Sequence, residues 1–151
     1  RKRLILLQPP PYLTFYLHMR AGFEKGLRDF GAMALPFNQV NLDNNLVDIR
    51  SSAESMFSTP DRPDGIVSGS GGGAVALIAA LEAKGHKLGQ DIDMVSKEPH
   101  MFLQWLRPEV MTMREDIRLA GRELAKAVIG RIEGTAPEDL QTLSYPIPTE
   151  G

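Results

Sequence analysis

The stretch Asp64–Gly85, DGIVSGSGGGAVALIAALEAKG, reads as a short apolar strand, a glycine-rich turn and an apolar helix, and it decides the fold. Within the turn, Gly69, Gly71 and Ala74 satisfy the G-x-G-x-x-G/A spacing of a dinucleotide fingerprint in a strand-turn-helix setting. The same glycines also suit a plain structural corner, where they supply permissive backbone dihedrals. A third use is a binding wall, because the first turn of a helix offers unpaired N–H groups to any electron-rich ligand, sugar hydroxyls included. Dinucleotide folds carry the motif on their first strand, whereas two strand-helix units precede it here. A dinucleotide site therefore ranks below both a binding wall and a structural corner.

Working outward, Leu4–Leu7 is a continuous apolar run ended by Gln8 and three prolines, as expected of a strand buried on both faces and followed by a forced loop. From Leu17 to Phe30, apolar and charged residues alternate at helical spacing and Gly31 follows as a stop. A second strand is expected within Ala32–Val40, made irregular by Pro36, and then a helix over Leu46–Phe57 burying Leu46, Ile49, Ala53 and Phe57. Beyond the opening stretch, DIDMVS gives a further strand, VMTMR another, and Asp116–Glu133 a late amphipathic helix with Ile117, Leu124, Val128 and Ile132 on one face. LQTLSYP, residues 140–146, is the candidate last strand. Alternating strands and helices with short connections predict an α/β fold, an open and mostly parallel sheet flanked by helices, with ligands at the carboxyl ends of the strands.

Composition narrows the function. A net charge of -2 gives no basic footprint for gripping nucleic acid, so any DNA-reading surface is expected elsewhere. The absence of cysteine excludes disulfides and thiolate metal sites and suits a reducing cytoplasm. The longest apolar run, Ala74–Leu81, falls far short of the roughly 20 residues needed to span a bilayer. The expectation is a soluble, cytoplasmic protein without membrane contact, and a chain that enters its first strand almost at once reads as a fragment. His18, His86 and His100 have neither metal-ligand spacing nor a nucleophile partner, so the residues offer no catalytic set, no metal site and no cofactor. Met111 and Met113 read as core. Trp105, flanked by Phe102 and Leu106, caps a pocket or covers a hinge, with packing favoured.

In order, HMRAGFEKGLRDFG, then RPDGIVSGSGGGAVALIAALEAKGHKLGQDIDMVSKE, then RPEVMTMREDIRLAGRELAKAVIGRIEG resemble the effector-binding part of lactose-repressor/galactose-repressor family transcription regulators, over nearly the whole chain. The resemblance implies a periplasmic-binding-protein-like type I lobe. Residues 1–109 are then the C-terminal lobe, and residues 110–151 the hinge-recrossing strand, late helix and terminal strand of the same module. The DNA-binding headpiece and most of the first lobe lie outside this chain. The resemblance further implies that VMTMR and the helix after it pack on the first lobe.

Carried over residue by residue, the resemblance makes Ser70, Gly71 and Glu98 ligand-binding, Ser70 matching a polar residue at the strand end and Glu98 the effector-binding acid. A carboxylate accepts two hydroxyl donors, and a serine at a helix N-terminus both donates and accepts. Arg20 and Asn44 are less direct matches: Met19 occupies the position of the arginine in R-x-x-G-F, with Arg20 one step later, and Asn44 stands where an aromatic platform is expected. Ser96–Pro99 replaces G-Y-D-D. These departures point to an effector other than the family's common hexoses.

The implied function is effector sensing by a homodimeric regulator, the effector a sugar or sugar derivative, with operator DNA bound through a headpiece and no bond made or broken. The alternatives are a periplasmic sugar-binding protein of a transporter and, behind it, a nicotinamide-dependent dehydrogenase. Residues 74–81 are apolar around the helix, one face of which suffices to cover a sheet, and the resemblance implies that Val75, Ile78 and Ala79 face outward into a dimer interface. The late helix is expected to bury its apolar face on its own lobe or on a neighbouring chain.

Overall fold

Strands and helices alternate as the periodicities require: β1 (Arg3–Leu7), α1 (Thr14–Phe30), β2 (Met33–Ala34), α2 (Leu46–Phe57), β3 (Gly65–Ser68), α3 (Gly71–Ala83), β4 (Asp93–Lys97), α4 (Phe102–Leu106), β5 (Val110–Arg114), α5 (Ile117–Ile132), a 3-10 turn at Pro137–Leu140, and β6 (Ile147–Thr149). The computed structural model describes residues 1–149. One sheet of order β2-β1-β3-β4-β5-β6 results, parallel except for β6, which returns antiparallel to β5. The last strand begins after LQTLSYP rather than within it.

Register sorts the side chains into two faces. Ile5, Ile66, Met94 and Val110 lie side by side, as do Leu7, Ser68, Ser96 and Thr112, and all eight are at least 98% buried. This is the inner face. Its cover follows from handedness: the chain moves from β1 to β2 in one direction and then reverses for β3, β4 and β5. Right-handed crossovers therefore place α1 on one side of the sheet and α2, α3 and α4 together on the other. Phe57, Leu77, Leu81 and Leu103, all buried, come from these three helices, and each such side chain contributes about 1.5–3 kcal/mol. Leu46, expected in this core, is half exposed.

The opposite face has only α1, none of whose residues is buried. There Val67, Val95 and Met113 are half-buried and Met111 is 47% exposed. The expectation that both methionines are core is thus corrected, since alternation gives the core positions of β5 to Val110 and Thr112.

Three helices begin with side-chain caps: Asn45 Oδ1 accepts from Asp48 N at 2.9 Å, Ser70 Oγ from Gly73 N at 3.1 Å and Asp116 Oδ1 from Leu119 N at 2.8 Å. Gly31 closes α1 at φ 59°, a left-handed conformation that favours glycine.

Two further expectations are corrected. VMTMR forms β5 and pairs with β4. Ile78 is 3% exposed: α2 packs along α3 and buries it, which leaves Gly72, Val75, Ala79 and Glu82 as the outward strip. The apolar face of α5 is bare, with Ile117, Leu124, Val128 and Ile132 between 54% and 81% exposed. A crossover folds a helix back over a sheet when a parallel strand follows. The strand after α5 is antiparallel, so the topology does not lay this helix on the lobe, and it packs on the turn at Pro137–Leu140.

Candidate ligand-binding site

The strand order reverses between β1 and β3, and at such a switch point the loops leaving the carboxyl ends part and open a crevice. The glycine turn stands at this point. None of Gly69, Gly71, Gly72 or Gly73 has a positive φ, so the glycines serve space rather than backbone freedom. A Cβ on Gly69 would lie 2.7 Å from Leu42 Cδ1, 3.2 Å from Leu7 O and 3.3 Å from Met19 Cε. A Cβ on Gly71 would overlap Oε2 of Glu98 and lie 3.1 Å from its Cδ and 3.4 Å from Phe102 Cζ. On Gly73 it would overlap the Leu7 side chain. Gly72 meets only Leu46, at 3.9 Å.

Ser70, Gly71 and Glu98 are thereby gathered at the head of α3. Ser70 caps the helix, and its backbone oxygen accepts from Ser68 Oγ at 2.8 Å. Glu98 is 1% exposed: its Oε1 accepts from His100 N at 2.9 Å, while Oε2 is buried without a hydrogen-bond partner. A helix N-terminus is a natural anion site, and here the chain's own carboxylate stands at it. That occupancy weighs against a phosphate cradle and so against a dinucleotide.

The other two sequence candidates are engaged elsewhere. Arg20 pairs with Glu24 at 2.8 Å, bonds the Tyr16 hydroxyl at 2.8 Å, and lines a separate recess with Gln8, Phe23 and Asn38. Asn44 Oδ1 accepts from Asn41 N at 2.8 Å and closes its own loop, which reaches the site through Leu42 on Gly69. The Tyr12 hydroxyl donates to Asp43 and ties the loop after β1 to that same loop.

Sequence reasoning missed several neighbours. Phe102 stands beside Glu98, and Met19, noted only as a replaced arginine, packs on Gly69. On the other side of β4, Lys97 Nζ lies 3.2 Å from Glu115 Oε1 and 5.3 Å from the centroid of the Phe15 ring. Strand alternation alone puts Lys97 and Glu98 on opposite sides. Trp105, for which packing was favoured, is 75% exposed, because α4 is one short turn whose inward position goes to Leu103. Among the described residues no cluster of His, Asp and Glu stands together to hold a metal ion, and no helix is long and apolar enough to cross a membrane.

The periplasmic binding protein-like domain family matches residues 18–149. The chain belongs to this family. A comparison with curated proteins finds no significant match. Among solved structures, this periplasmic binding protein-like chain is similar to a LacI-family regulatory protein from Chloroflexus aggregans, at 21% identity and TM-score 0.82 over 100% of this chain and 56% of that one. It is also similar to a LacI family transcriptional regulator from Arthrobacter sp. FB24 in complex with lactose, at 17% identity and TM-score 0.79 over 99% and 56%. A third is the periplasmic binding protein/LacI transcriptional regulator from Alkaliphilus metalliredigens QYMF complexed with D-xylulofuranose, at 17% identity and TM-score 0.69 over 89% and 50%. The chain spans about half the length of these structures.

Proposed function

We propose that this chain is the effector-sensing part of a LacI-type transcription regulator, in which a small polyhydroxyl ligand at the head of α3 biases lobe closure and thereby distant DNA-binding headpieces. The observation that carries the reading is the convergence of Ser70, Gly71 and Glu98 at the switch point, with a buried carboxylate oxygen that lacks a donor. Such an oxygen is costly unless a ligand supplies the hydrogen bond. The family and the LacI-type neighbours, one bound to lactose and another to D-xylulofuranose, support a sugar or sugar derivative as the effector. The ligand acts by differential binding, with no bond made or broken and no cofactor required.

A cytoplasmic homodimer belongs to the same proposal. The outward strip of α3 ends at Glu82, which Arg107 at the end of α4 bridges at 3.0 Å, next to exposed Leu106 and Trp105. Val47 on α2 is 71% exposed, Leu46 meets Gly72 at the other end of the strip, and Val75 lies between. An apolar surface of this extent on one side of the lobe suits a second copy.

Calorimetry on the full-length protein tests the site. Glu98→Gln and Ser70→Ala are each expected to weaken effector binding about tenfold, from the strength of charged and helix-capped hydrogen bonds. Unchanged affinity in both variants places the site elsewhere. An effector-dependent change in operator DNA binding, in either direction, separates a regulator from a transporter's binding protein, which has no headpiece.

A further inference from the structure

We infer that the ligand of this site carries an amino group beside its hydroxyls, as an amino sugar or amino polyol does, and that Glu98 selects it. The inference rests on the effector-binding reading above. Glu98 is 1% exposed, one of its oxygens is satisfied by the His100 amide, and the other, Oε2, faces Gly71 without a donor. Neither Lys97 nor Arg20 supplies the missing charge: Lys97 turns to the other side of β4 toward Glu115, and Arg20 holds Glu24 and Tyr16. Beside Gly69 stands the apolar side chain of Met19, whose Cε would lie 3.3 Å from a Cβ there.

Three ligand chemistries can be weighed against this geometry. An acid or phosphate would seek the positive end of α3 and find the chain's own carboxylate there. A hydroxyl donates a hydrogen bond to Oε2 but brings no positive charge to a carboxylate that closure shields from water. An ammonium supplies the hydrogen bond and the charge together. Phe102, whose Cζ would lie 3.4 Å from a Cβ on Gly71, gives the same place an apolar wall. Ser70, with a hydroxyl proton free to donate while its oxygen accepts from Gly73 N, suits the hydroxyl next to the amine.

Calorimetry on the full-length protein with matched compounds tests this. The probes are glucose, glucosamine, glucuronic acid and glucose 6-phosphate, the same four on a galactose frame, and sorbitol against its 1-amino-1-deoxy counterpart. Within a set that binds, the amine is expected to bind at least about tenfold more tightly than the hydroxyl compound, with the acid and phosphate weakest. Glu98→Gln should bring the amine-to-hydroxyl ratio close to one, and Glu98→Asp, which keeps the charge, should preserve it. The ranking in the unmodified protein stands as a test even where a variant folds poorly. Preference for a neutral or acidic member, or an amine preference that survives Glu98→Gln, overturns the inference and leaves the effector reading intact. Absence of binding by every compound overturns that reading, and this inference with it.

Discussion

Gly71 and Glu98 are complementary in volume: the carboxylate of one occupies the space that a side chain on the other would need. Gly71→Ala is expected to destabilise the lobe by about 1–3 kcal/mol, as overpacking does, although alanine is the better helix former. Glu98→Ser should relieve most of that cost in the double variant. Urea denaturation of the four proteins of the cycle gives the coupling, and additive effects would show that the two side-chain positions do not compete.

Ser70 has a structural duty apart from any ligand. Loss of its cap in Ser70→Ala should cost about 1 kcal/mol and speed hydrogen exchange at Gly73 and Ala74. Ser70→Asp, an equally good cap, should restore stability while placing a second acid beside Glu98. Restored stability with weakened ligand binding would separate the two duties, and full recovery of both would assign Ser70 to capping alone.

Association and folding are carried by different residues of α3. Val75→Lys, with or without Ala79→Lys, is expected to yield a monomer in sedimentation velocity at little cost in stability, because Val75 is 42% exposed. Ile78→Lys should unfold the lobe instead, as a charge would enter the α2–α3 core. The single tryptophan reports on the same event. Trp105, 75% exposed, should emit as a solvated indole in the Val75→Lys monomer and shift to the blue on dimerisation of the unmodified protein. An unshifted spectrum removes α4 from the interface.

Acid should loosen the start of β1. Burial pushes the Asp64 carboxyl up, but the amides of Arg3 and Lys2, each 2.8 Å away, outweigh it and hold the group below its ordinary range. The Arg1 guanidinium, 2.7 Å away, does the same for Asp93. Lowered folded-state values mean that the unfolded chain takes up protons first. The stabilisation is therefore complete above the ordinary carboxylate range, about pH 4, and is lost as pH falls through the lower folded values. Denaturation midpoints should decline below about pH 4 and decline less in Asp64→Asn, whereas identical slopes would leave Asp64 without this role.

The primary structure by itself determined most of the order of the elements, all but the short α4 and the exact place of the last strand. Apolar runs at Leu4–Leu7 and Gly65–Ser68, helical periods over Leu46–Phe57 and Ile117–Ile132, and Gly31 as a stop are local signals, and local steric and solvation rules turn each into one element. The glycines of the turn were legible as a candidate wall for the same reason, whereas the acid after β4 was named by the family resemblance. What local periodicity does not contain is which face of an element meets another. Handedness and strand order put α2, α3 and α4 on one side of the sheet, and this buried Ile78, left Met111 half exposed and kept Trp105 in solvent. The antiparallel return of β6 left α5 uncovered. The use of the glycines was likewise a tertiary decision: with ordinary backbone angles, Gly69, Gly71 and Gly73 make room for Met19, Leu42, Glu98 and Leu7, residues brought to the turn from four other segments of the chain.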